Sequence, residues 1–314
     1  MDYNDNLIGD QIAQFYEAIR ASGLEPPVIN ELNKFYRFPG SGKNSRNTAA
    51  WCKVFPDGLG GIFGDYSSGL SESWHINDKG RLTKTERKIF EKHVSEAKKQ
   101  AIVEREAMHA EAKVRANNIW MSSTPAPESH LYIVRKNIKS SYFRLYSGDL
   151  KINGMQCDNS IIVPVCSHDE IVSLQFINQS GKKRFLSGGR ITGCYAVLGS
   201  NQLPTRGQLI LAEGAATCAT IHESTGHSVI VAFNANNLEA VARNICSKLP
   251  LSVELIIACD NDRHTIGNPG MTYGRKAAVN SGALLVWPEF LCADCNCSDF
   301  NDAKNCPRMQ RRAS

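Results

Sequence analysis

Between residues 207 and 287, four short apolar runs alternate with segments of helical periodicity. The runs are QLILA (208–212), SVIVAF (228–233), VELIIAC (253–259) and ALLVW (283–287); AATCATIHES, LEAVARNICSKL and TYGRKAAVNSG lie between them. Runs this apolar can bury both faces only in a parallel sheet covered by helices on both sides. This part of the chain is therefore expected to be α/β, with four parallel strands. In open sheets of this kind, ligands gather at the carboxyl ends of the strands. Acidic residues stand there: Glu213 closes the first strand, Asp260 and Asp262 follow the third, and Asp299 and Asp302 lie beyond the fourth. The first and third strands are expected to be neighbours, which would bring Glu213 toward the Asp-x-Asp pair.

Carboxylates gathered in one cleft repel, and each is pushed toward its neutral form unless a cation sits among them. Hard oxygen ligands suit Mg²⁺, which serves phosphoryl and nucleotidyl transfer by neutralising attacking and leaving oxygens. Any one of these acids could equally be a helix cap or a solvated loop residue. Glu-Gly at one strand end with Asp-x-Asp two strands on points to a site.

The rest of the 314 residues suggests three further regions. Residues 1–80 interleave aromatics, glycines and bases (FYRFPGSGK, WCKVFPDGLGGIFGDYSSG) and are expected to form a small β-rich module. Residues 81–128 begin with Thr83 and Glu86 in a capping-box spacing, then run without Gly or Pro to Trp120. One long charged helix, or two with a break, is expected there. Residues 129–206 suggest an α+β subdomain, with a hairpin over 160–176 turning at SHDE and a basic KKRFLSGGR after it. The sheet and its helices occupy 207–314. GSGK at 40–43 lacks the leading glycine and the trailing Ser or Thr of a phosphate-binding loop, because Arg37 and Asn44 stand at those positions.

The opening MDYNDNLIGDQ is acidic and polar, so no secretory signal is expected, and no apolar run reaches the ~20 residues that span a bilayer. The expected location is the cytoplasm, with no membrane partner. The formal charge of +5 is compatible with a nucleic-acid partner without requiring one.

LAEGAATCATIHESTG, VAFNANNL, IIACDND, GNPGMTYGRKAA and DFND together resemble the Toprim primases of conjugative plasmids and satellite phages. HLYIVRKNI, KKRFLSGGRITGCYAVLG and the N-terminal FYRFPGSGK and GIFGDYSSG extend the resemblance over nearly the whole chain. It implies a Rossmann-like Toprim core that makes short RNA primers on single-stranded DNA from ribonucleoside triphosphates, with Mg²⁺ or Mn²⁺ and with a separate replicative helicase as a partner. It implies that Glu213 is a general acid/base or metal-orienting group, that Asp260 and Asp262 hold the principal ion, and that Asp299 and Asp302 complete a second position. Lys182, Lys183, Arg184 and Arg190, with Arg263 and Lys276 as weaker candidates, would bind template or triphosphate, or else form a solvated hairpin. A Toprim nuclease and a catalytically weak single-strand-binding adaptor are the alternatives. Ala215 follows Glu-Gly where the family usually has an aromatic, and residues 1–80 hold only Cys52 and His75, too few for a zinc ribbon.

Two constellations lie outside that site. Arg37, Lys43, Arg46 and Trp51, among other aromatics, suit stacking on single-stranded DNA, although a small β module also needs aromatics for its core. Cys292, Cys295, Cys297 and Cys306 begin like a zinc knuckle, but their spacing departs from the usual paired pattern. A cluster of reduced cysteines without zinc is the expectation.

Overall fold

The computed structural model describes residues 3–45, 47–76, 82–199, 202–290 and 295–310. Arg46 and Cys292 lie outside the described residues. The chain divides after Ala107 into two compact units.

The first unit has a helix, α1 (Tyr3–Ala21), and an antiparallel sheet of β1 (Tyr36–Phe38), β2 (Ala50–Val54), β3 (Gly60–Asp65) and β4 (Leu70–His75), in that order. The sequence reading expected strands here and missed α1. The helix buries Gln11, Phe15 and Ile19, spaced i, i+4, i+8, which is one narrow stripe. Phe15 and Ile19 join Phe38, Cys52, Val54 and Phe63 in one core. Gly61 permits this approach: a Cβ there would meet the Phe15 ring at 2.7 Å. A second core sets Trp51, Phe55 and Ile62 against Ala97 and Ala101 of α2 (Lys84–Ser122). That helix is continuous, and its capping box forms: the Thr83 amide donates to Glu86 Oε2 at 2.8 Å and the Glu86 amide to Thr83 Oγ1 at 3.2 Å.

The second unit opens with an α+β layer. It comprises β5 (Thr124–Pro125), α3 (Leu131–Lys136), β6 (Arg144–Tyr146), the small hairpin β7 (Lys151–Ile152) and β8 (Met155–Gln156), β9 (Ser160–Ser167), β10 (Glu170–Ile177) and β11 (Lys183–Phe185). Its sheet runs β11-β10-β9-β6-β5, with the expected hairpin at its centre. Next come β12 (Ala196–Leu198), β13 (Gly207–Ala212), α4 (Ala215–Thr225), β14 (Ser228–Val231), α5 (Leu238–Cys246), β15 (Val253–Ala258), α6 (Pro269–Ser281), β16 (Leu284–Val286), α7 (Phe300–Asn305) and α8 (Pro307–Gln310).

The strand order is β12-β14-β13-β15-β16. Four strands are parallel as expected, and the short β12 adds a fifth, antiparallel to β14. Alternation along β13 divides it between two cores. Leu209 and Leu211 meet α5 and α6 residues such as Val241 and Ala277, while Ile210 and Ala212 meet α4 and, through Ile161 and Val163, the preceding layer. Ala212 pairs with Ala258 of β15, so the residues that follow each strand emerge side by side.

Candidate active site

That register sets Glu213 beside Cys259 and Asp260. The Glu213 carbonyl accepts a hydrogen bond from the Phe233 amide at 2.8 Å. Phe233 takes a left-handed backbone, φ 72°, which is uncommon for a bulky residue. It ends the run after β14 and packs edge-to-face on Phe185 of β11, two residues from Lys183. Gly214 caps α4, and a Cβ on it would lie 3.7 Å from the Lys183 amine. The one cation of the basic segment that stands over the acidic pocket is thus Lys183.

The Asp-x-Asp turn is held from several sides. Asp262 Oδ2 accepts from the Gly270 amide at 2.8 Å, at the start of α6. Only glycine fits there, since a Cβ would strike the Asp260 carbonyl oxygen at 2.4 Å. The Asn261 amide donates to the Ser298 carbonyl at 2.7 Å, tying this turn to the segment that carries Asp299. Asp299 caps α7 by accepting from the Asp302 amide at 2.8 Å. Asp302 turns elsewhere: Oδ1 pairs with Lys136 of α3 at 3.3 Å, and Oδ2 accepts from the Ser298 amide at 3.2 Å.

Four carboxylates therefore share one field. Burial pushes Glu213 up to about 7; the Lys183 ammonium opposes this, and Asp262 and Asp299 reinforce it. Burial likewise lifts Asp260 to about 8, with Glu213, Asp299 and Asp262 adding to it and Lys183 opposing. Asp260 Oδ1 is buried without a hydrogen-bond partner. Such an orphaned atom costs roughly 1–3 kcal/mol and calls for an explanation. A divalent cation supplies one: an all-carboxylate donor set fits Mg²⁺ or Mn²⁺. Glu213, Asp260, Asp262 and Asp299 are the candidate ligands, and no three of their oxygens lie within 4.8 Å of one another in this structure.

The other expected site residues are scattered. Lys182 and Arg190 are exposed, and Arg184 donates to the Lys183 carbonyl at 2.9 Å. Arg263 lies over the Phe290 ring at 4.8 Å and donates to Cys295, away from the carboxylates. Lys276 pairs with Glu239 at 3.0 Å, linking α6 to α5. In the first unit Trp51 is 3% exposed, and Phe35 stacks on it at 5.3 Å. Its ring is core and cannot meet a base. Arg37 donates to the Ala50 and Thr48 carbonyls and lies over the Tyr66 ring at 4.8 Å, so it braces the sheet. Lys43 is exposed.

Sequence reasoning missed Phe233, Lys136 and two buried asparagines. Asn237 donates to the Ile191, Cys194 and Ala232 carbonyls and accepts from the Gly193 amide, pinning the KKRFLSGGR-ITGC stretch to the sheet. Asn301 ties α7 to the Lys136 carbonyl at 2.6 Å and to Thr220 of α4 at 2.8 Å. Neither carried a local signal, because Asn237 follows Asn234 and Asn236, and Asn301 stands between Phe300 and Asp302 in a polar stretch.

A parallel sheet with Glu-Gly after one strand and Asp-x-Asp after its neighbour defines a class, and residues 208–305 match the model of the Toprim domain. This segment is a Toprim domain. Over 123 residues the chain is 38% identical to the DNA primase TraC of Escherichia coli, covering 38% of this chain and 12% of that protein. A second DNA primase TraC of Escherichia coli is 36% identical over 127 residues, covering 39% of this chain and 9% of that protein. The chain thus spans about a tenth of the length of the curated relatives it matches. Among solved structures, the DnaG primase catalytic domain bound to single-stranded DNA aligns at 9% identity and TM-score 0.44, over 67% of this chain and 78% of that one. The primase fragment of the bacteriophage T7 primase-helicase protein aligns at 12% identity and TM-score 0.41, over 89% of this chain and 98% of that one. Both are loose resemblances. No helix among the described residues is long and apolar enough to cross a membrane.

Proposed function

We propose that the chain is a DNA primase, which joins ribonucleoside triphosphates into short RNA primers on a single-stranded DNA template in the cytoplasm. The observation that carries this reading is the pocket of Glu213, Asp260, Asp262 and Asp299 around an unpartnered Asp260 oxygen, within a segment 38% identical to a primase. Asp260 and Asp262 would hold Mg²⁺ or Mn²⁺, with Asp299 on the far side. A bound ion would neutralise the pocket and stabilise charge on the transferring phosphoryl group. Glu213, raised to about 7, is poised to take up or release a proton near neutral pH, as a general acid or base must be. Lys183, over the Glu-Gly step, is the residue to meet a triphosphate. Asp302 braces α7 through Lys136 and serves as a positioning residue. Exposed Lys43, Lys182 and Arg190 would meet the template backbone.

The test is to incubate the full chain with labelled ribonucleoside triphosphates, Mg²⁺ or Mn²⁺ and single-stranded DNA. Short labelled RNA is expected. Degraded template with no RNA would assign the same pocket to a nuclease, and binding without either product would leave an adaptor.

A further inference from the structure

Beside the carboxylate pocket lies a second cluster, of a different chemistry. The sulfurs of Cys295, Cys297 and Cys306 all lie within 4.8 Å of one another. Among the described residues no other group of His, Cys, Asp or Glu converges this tightly. Cys306 is 4% exposed and ends α7, whose first-turn cap is Asp299; Cys295 and Cys297 precede that cap. The three sulfurs therefore clasp α7 at both ends. The cluster also reaches the Asp-x-Asp turn: Arg263 Nη2 donates to Cys295 Sγ at 3.0 Å and to its carbonyl at 2.8 Å. His264 Nε2 sits 3.0 Å from the same carbonyl.

We propose that the reduced Cys295, Cys297 and Cys306 bind a thiophilic metal ion, zinc by chemistry, as a structural clamp on the segment that carries Asp299. A zinc–sulfur bond is about 2.3 Å, so tetrahedral ligands stand about 3.8 Å apart. Sulfurs already within 4.8 Å need to close by only about 1 Å to reach that spacing. Thiolates select zinc over the hard ions that suit the neighbouring carboxylates, so the two centres would not exchange ions. Arg263 offsets the excess negative charge of three thiolates around one dication and, through its neighbour Asp262, joins clamp to pocket. The three sulfurs supply three of the four tetrahedral positions, and water supplies the fourth.

Cys295 is disulfide-bonded in this structure, whereas Cys297 and Cys306 are thiols. Metal binding and oxidation are competing fates of one cluster, and the clamp requires Cys295 reduced.

The test is made on the full chain, purified and stripped of metal under reducing conditions. Titration with Co²⁺ should develop the visible and thiolate-to-cobalt bands of a tetrahedral thiolate site, and added zinc should bleach them with a stoichiometry of about one. Cys297→Ser and Cys306→Ser should each lower zinc affinity at least about tenfold, as loss of a ligand does, whereas Cys246→Ser should not. Glu213→Gln should keep the zinc site intact even if no primer is ever made, which separates this proposal from the primase reading. Parent protein that binds no zinc after reduction, or whose mass still shows Cys295 oxidised, overturns the proposal. So does zinc affinity unchanged in both serine variants.

Discussion

Two aspartates, one in each unit, stand at the ends of buried strands and meet opposite fates. Asp65 closes β3 and is 1% exposed, yet it is fully engaged. Its Oδ1 accepts from the amide and hydroxyl of Ser67, both at 2.7 Å, and its Oδ2 from the Ser41 amide at 3.3 Å. Asp260 follows β15 and has three carboxylates for company and a buried oxygen with no donor. The Asp65 carboxyl group is satisfied by two backbone amides and a hydroxyl, as a buried polar group requires. Asp260 is left with an unpartnered oxygen at the carboxyl end of a parallel strand, which is the contrast on which the proposed metal site rests.

The largest expected effect breaks that contrast at its functional end. Asp260→Asn and Glu213→Gln should each lower primer synthesis at least about 100-fold, because each removes a charge matched to metal or proton transfer. Asp65→Asn should leave primer synthesis intact at permissive temperature. Stability should respond the other way. Asp65→Ala should cost about 1–3 kcal/mol in urea unfolding, since the Ser41 and Ser67 donors lose their partner. Without metal, Asp260→Asn should match or exceed the parent's stability.

The raised acids also set a pH dependence. In the unfolded chain Glu213 and Asp260 lose their protons near 4.5 and 3.8, whereas in the fold they hold them to about 7 and about 8. Between those limits the folded state binds more protons, so metal-free stability should fall as pH rises from about 4 to about 8. Asp260→Asn should flatten that slope, and saturating Mg²⁺ should flatten it in the parent. A parent slope equal to that of Asp260→Asn would count against the buried-acid pocket. The smallest effects concern α7. Asn caps as well as Asp, so Asp299→Asn should barely change the melting temperature while raising the Mg²⁺ needed for half-maximal synthesis. Asp302→Asn should shift that Mg²⁺ requirement less, because both its oxygens are occupied by Lys136 and Ser298.

The parallel sheet was legible because its strands are apolar on both faces, a pattern that few other structures tolerate. The strand-end acids followed from it, since register alone sets Glu213 beside Asp260. Asp65 shows what a single strand-end aspartate is worth: read by itself, it carries the same signal as Asp260. Only the paired Glu-Gly and Asp-x-Asp distinguished the two. Lys183 was one of four equivalent bases in the sequence, and its aim at the pocket depends on β11 pairing with β10 and on Phe185 meeting Phe233. The Asp302–Lys136 pair joins residues far apart in sequence and had no local trace. Trp51 misled because an aromatic beside bases reads the same whether it stacks on a base or, as here, on Phe35. The stripe of Gln11, Phe15 and Ile19 was present in the sequence, but it was too narrow to outweigh the glycine-rich strands that follow it.

Manganese binding followed by electron paramagnetic resonance tests the central claim most directly, because it reads the pocket without asking for a product. The parent protein should take up Mn²⁺, with affinity rising between about pH 6 and about pH 8.5 as Glu213 and Asp260 give up their protons. Asp65→Asn should bind like the parent, and Asp260→Asn should lose the tight signal. Equal manganese binding by the parent and Asp260→Asn would contradict the account.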